Sequence, residues 1–157
     1  MSKSTRHRTE PLSRAAKAAV VLEVLLSIGA LGGGLVLMIA PRGEIMPLPL
    51  SALAGSPFDT YFVPGLILFG VLGLGPLVAA ALALRGHWLA PLAAIGTGAT
   101  LLAWLAVEIA IVGYSNNPPL QPFYLLLGFI ISMVGLSWLA KVGLVTRSRG
   151  VGQVTNP

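Results

Sequence analysis

The chain has 157 residues, 55% of them apolar and only 10% charged, with a net charge of +5 and no cysteine. A typical soluble domain is roughly a quarter charged, so this composition leaves too little polar surface to coat a globule and excludes soluble, disordered and collagen-like chains. Without cysteine there are no disulfide frameworks, thiol relays, cysteine-ligated zinc sites or iron–sulfur clusters.

Residues 1–14 read as a basic polar tail. An apolar run follows from about Ala15 to Ala40 and stops at Pro41. It is longer than the roughly 7–15 residues of a secretory signal core, and a retained membrane span is predicted. Glu23 falls inside this run. A carboxylate at the bilayer centre costs at least about 2.5–3.5 kcal/mol, so an intramembrane acid is a functional hypothesis in its own right. Ala16, Ala19, Glu23, Ser27, Ala30 and Gly34 recur at three- and four-residue steps and share one helix face. Small residues mark where another helix packs closely. Glu23 is therefore expected to point into a helix interface, paired structurally with Lys17, Arg85, Lys141 or a neighbouring helix, or else to serve as a proton- or cation-coupled site.

Pro41, Pro47, Pro49 and Pro57 exclude a regular helix from the next segment, an outer loop over residues 41–59. The second run spans about 60–84 and closes on the basic turn Arg85-Gly86-His87. Asp59 or Thr60 is expected to cap it by accepting from its free amides, and Pro64 falls in the first turn, where a missing N–H costs little. Gly70, Gly73 and Gly75 lack the preceding strand of a dinucleotide fingerprint and are expected to serve close helix contact. Pro76 predicts a kink that leaves the Leu72 carbonyl in need of a partner. The third run, about 88–112, carries Glu108 on the face of Thr97, Thr100 and Trp104, near the outer rim, where loop tyrosines or asparagines are its expected partners. A short outer loop, 113–121, holds Tyr114 and Asn116. The fourth run, about 122–144, has a small face of Gly128, Ser132 and Gly135, and a basic tail, 145–157, follows.

Each run reaches the roughly 20 apolar residues needed to cross about 30 Å of hydrocarbon. Because lipid offers the backbone no hydrogen bonds, the runs must be helices. The reading is thus an all-α integral membrane protein: one transmembrane domain, 15–144, folded as an antiparallel up-down-up-down four-helix bundle. Nine of the ten Lys and Arg residues fall on one side of it, and only Arg42 on the other. By the positive-inside rule both termini lie in the cytoplasm, and the compact loops fit a bacterial inner membrane. Tyr61, Tyr114 and Tyr124 mark the outer boundary; Trp88 and Trp138 mark the inner one. Clustered cations beside apolar runs, without an aromatic-interleaved basic face, are membrane flanks and give no reason to expect nucleic acid. His7 and His87 both sit in polar segments, so no haem or other cofactor and no metal site is expected. Tyr124, Gly128, Gly135 and Leu136 each follow Phe62, Leu66, Gly73 and Leu74 by 62 residues, a spacing that an old duplication and shared apolar composition explain equally.

The most specific stretch is Ser56-Pro57-Phe58-Asp59-Thr60-Tyr61-Phe62-Val63-Pro64-Gly65, continuing into Leu66, Ile67 and Leu68. With the glycine-rich span and basic turn that follow, it resembles a group of uncharacterised small four-span bacterial membrane proteins. That resemblance implies the architecture and no catalytic residue. The layout is also similar to that of small multidrug transporters, four-span proteins with a glutamate in the first helix, although this chain is longer and has a first outer loop of about twenty residues.

Three functions follow as expectations. The first is a non-catalytic structural, accessory or assembly subunit in contact with membrane lipid and with other membrane proteins or copies of itself. The second is a small oligomeric proton- or cation-coupled transporter or channel using Glu23. The third is a lipid-acting enzyme, which would need Asp59, Tyr61, Glu108, Tyr114 and Asn116 to converge on the outer side.

Overall fold

The computed structural model describes the backbone of residues 12–46, 48–114 and 119–152, and side chains as far as residue 143. Four helices are long and apolar enough to cross a membrane, and no strand occurs among the described residues. They are α1 (Arg14–Ile39), α2 (Phe62–Leu84), α3 (Ala90–Val112) and α4 (Leu120–Gly152).

The termini follow local chemistry. Ser13 caps α1, its hydroxyl accepting from the Ala16 amide at 3.1 Å, which satisfies one of the helix's free donors. The helix stops at Ala40, directly before Pro41. A single 3-10 turn, Leu50–Leu53, interrupts the proline-rich loop and rests against α3. The α2–α3 turn needs a left-handed residue, supplied by Gly86 at φ +63°, and Pro91 then falls in the first turn of α3. Gly113, at φ +86°, ends α3, since only glycine takes that conformation without strain. The fourth helix continues well past the apolar run: its backbone stays helical to Gly152, through much of the stretch expected as a tail.

One expectation for α2 is corrected. Neither Asp59 nor Thr60 caps it; Tyr61 occupies the cap position without a side-chain bond, and Asp59 is exposed. The aromatic residue anchors this end by burial. Its N–H donates to the Pro41 carbonyl at 2.8 Å and its hydroxyl to the Pro49 carbonyl at 2.9 Å. Ahead of Pro76 the backbone departs from regular α-helix. The helix widens into a π stretch over Leu68–Leu74, immediately before Gly75 and Pro76, and the side chain reaching the backbone there, Ser27, donates to the Gly73 carbonyl.

Two glycine seams hold the helices in pairs. Between α1 and α2, a Cβ added at Gly34 would lie 2.7 Å from the Gly65 carbonyl oxygen and the Phe69 nitrogen, and one at Gly73 would strike Leu31. Between α3 and α4, Gly98 lies against Ser132 and the Gly128 carbonyl, and Gly135 against Ile95 and the Pro91 carbonyl. Ser132 itself donates to the Gly128 carbonyl at 2.9 Å. Each seam lets two backbones approach as only small residues allow. The predicted packing residues Ser27, Gly34, Gly73, Gly128, Ser132 and Gly135 are therefore used inside the chain. The pairs join around a core of Leu26, Ala30, Leu72, Leu101, Leu105, Leu127 and Ile131.

Candidate functional site

The buried face of α1 consists of Ala16, Ala19, Glu23, Leu26, Ser27, Ala30 and Gly34, the set that the helical period selects, with Leu26 added. Glu23 is 1% exposed, and neither carboxylate oxygen has a hydrogen-bond partner among the described residues. The expected structural pairing is not formed: Lys17, Arg85 and Lys141 are all exposed. One turn further along α1, Ser27 is fully buried and bonded to the α2 backbone. Ala79, Ala80 and Ala83 of α2 and Ala90 and Ala94 of α3 are buried as well. The carboxyl group is thus buried with neither oxygen hydrogen-bonded among the described residues. Isolated buried ions cost several kcal/mol, so the group requires a proton or a cation from outside the helix framework.

At the end of the bundle that carries residues 41–61, the two helix pairs part and leave a cavity of about 530 Å³. Its walls are almost wholly apolar: Leu26, Ala30, Gly33 and Leu37 of α1, Pro64, Leu68 and Leu72 of α2, and Leu101, Trp104, Leu105 and Ile111 of α3. Three residues of the SPFDTYFVPG stretch, Phe58, Tyr61 and Pro64, border it at three-residue steps. Loop residues Met46, Leu48 and Leu53 line the same end. At its polar edge Gln121, in the first turn of α4, donates from Nε2 to Glu108 Oε1 at 3.2 Å and to the Gly113 carbonyl at 3.2 Å. Tyr124 completes that wall, its hydroxyl lying 2.9 Å from where a Gly29 Cβ would stand.

Of the outer residues named from sequence, Tyr61 and Glu108 meet at this cavity, whereas Asp59 and Tyr114 are exposed and take no part in it. Asn116 lies outside the described residues. Glu108 takes Gln121 as its partner and not a loop tyrosine, and Thr100, expected on its face, is exposed. Gln121, Phe58 and Pro64 were not singled out as a site. A polar residue in the first turn of an otherwise apolar helix was the available signal for Gln121. Burial keeps the Tyr61 hydroxyl above its ordinary pKa, so it remains a donor to Pro49 at neutral pH. Among the described residues no group of three or more His, Asp or Glu side chains converges as a metal site. Comparisons with protein-family models, curated proteins and solved structures found no match to this chain.

Proposed function

We propose that this is a multi-pass protein of a bacterial inner membrane in which Glu23 is the working group of a small, oligomeric proton- or cation-coupled transporter or channel. The observation that carries the proposal is the pair of unpartnered oxygens of Glu23 on the buried face of α1. Membrane proteins keep ionisable groups at depth where ions or protons pass, and a purely structural acid would have a donor. The spans run up-down-up-down with both termini cytoplasmic. Supporting this, Tyr61 ties the start of α2 to Pro41 just beyond α1, and the loop after α1 borders the same cavity as the last turn of α3 and the first of α4. Lys17, Arg85 and Lys141 belong to the opposite end, in keeping with the charge count.

The test uses the purified chain in vesicles enclosing a pH-sensitive dye, with and without Glu23→Gln. Proton flux driven by an imposed gradient in wild type, lost in the variant, is the expected result. Equal flux in both, or none in either from correctly folded protein, removes the proposal.

A second reading, the accessory or assembly subunit, is favoured by a different observation. A recess of about 270 Å³ between α2 and α3 is bordered by Gly75, Pro76, Ala93 and Thr97, and Gly70, Gly75 and Gly96 have open space where a Cβ would stand. A foreign helix, or one from a second copy, fits such a face. Copurification of a partner that is lost on Gly75→Leu would favour this reading.

A further inference from the structure

The cavity has the dimensions of one leaflet. Along α1 its walls run from Leu26 to Leu37, eleven residue steps, or about 16 Å at 1.5 Å per step. Half of a 30 Å hydrocarbon layer is about 15 Å. Its deep end is closed by Leu26, Leu72 and Leu101, which belong to the buried core, so it is a blind slot and not a pore. Its volume of about 530 Å³ lies within the roughly 300–1,000 Å³ typical of small-molecule pockets, which are likewise mostly apolar with a few placed polar groups. The polar group here is anionic: Glu108 stands four residues before the end of α3, where an inserted chain would leave the hydrocarbon. Gln121 occupies one of its carboxylate oxygens.

We propose that this slot holds one acyl chain of an aminophospholipid from the leaflet on the loop side, the ammonium head donating to Glu108. The site rests on the membrane-spanning reading but not on Glu23. It gives the SPFDTYFVPG stretch a task, since Phe58, Tyr61 and Pro64 form the wall along which the chain enters. The apolar length selects a lipid tail, and the carboxylate selects a cationic head over an anionic one.

The full chain is embedded in nanodiscs of equal phosphatidylethanolamine and phosphatidylglycerol, released into mild detergent, and weighed by native mass spectrometry. The expected wild-type result is one retained lipid per chain, phosphatidylethanolamine favoured by about tenfold, as one hydrogen bond to a charged group provides. Gly33→Phe fills the slot without backbone conflict, because a Cβ there meets only Leu68 Cδ2 at 3.6 Å, and it should lose the lipid. Gly96→Phe, on an open exposed face, controls for added bulk and should retain it. Glu108→Gln should keep a lipid but lose the preference. Glu23→Gln should change neither, which separates failure of this site from failure of the transport proposal. Equal retention by wild type and Gly33→Phe, or a wild-type preference for phosphatidylglycerol, overturns the proposal.

Discussion

Glu23 and Ser27 stand one turn apart on the same buried face of α1 and make opposite demands on its surroundings. Ser27 answers a backbone carbonyl of α2, so Ser27→Ala should lower stability by about 0.6 kcal/mol, the average for hydrogen bonds between membrane helices. Glu23 answers nothing. Replacing a buried unsatisfied polar group by an apolar one of similar shape removes a desolvation penalty of about 1–3 kcal/mol, so Glu23→Leu should unfold at higher temperature in detergent than wild type. A less stable Glu23→Leu would mean that the carboxyl has a structural partner after all. The inward direction of Glu23 was legible in the sequence because small residues at helical spacing define a face whatever the partner is. That it lacks a donor was not. Reach along a helix shows which cations are near in height, but Lys17, Arg85 and Lys141 turn outward to water, where a charge is cheapest.

At the scale of the helices, stability is concentrated where backbones touch. At Gly34 an added Cβ meets backbone atoms of Gly65 and Phe69 at 2.7 Å, and backbone cannot step aside as a side chain can. Gly34→Ala should therefore cost about 1–3 kcal/mol, as overpacking does. Gly96→Ala, with open space around it, should be neutral or gain up to about 1 kcal/mol from helix propensity. Thermal unfolding of both variants checks the contrast, and similar losses in the two would show that the seam is not the cause. The spans and their glycine faces could be read in advance from apolar length and spacing. The widened stretch in α2 could not: Pro76 announces a disturbance, but a kink and an extra-residue bulge both relieve a missing N–H. Only the packing of α2 on α1, with Ser27 at Gly73, distinguishes them.

For the whole molecule, the charge asymmetry makes a direct prediction. The native chain has no cysteine, so single substitutions report sidedness without background. A membrane-impermeant maleimide added to intact cells should label Ser51→Cys in the first loop and leave His87→Cys unlabelled until the cells are opened; both positions are exposed. The reverse pattern would invert the topology. The cavity was hidden from the sequence for a geometric reason. Its walls come from all four helices and a loop, so no one segment carries its pattern. What the sequence did contain was Phe58, Tyr61 and Pro64 in an unusually specific stretch, which reads as local loop chemistry until the helix pairs are seen to part beside it.

The π stretch in α2 carries one residue more than an α-helix of the same rise would hold, as an insertion into an otherwise regular helix would leave it. Deleting a single residue within Leu68–Leu74 would let the segment close into regular α-helix, and because the bulge already absorbs the extra residue, the helix on either side would keep its facing. Gly65 would then keep its contact with Gly34 and Pro64 its place beside the cavity, whereas a residue removed from the regular turns outside the stretch would rotate one half of the helix by about 100° against the other. The widened stretch is thus the place where this helix absorbs a change of length, and the regular turns on either side are where it does not.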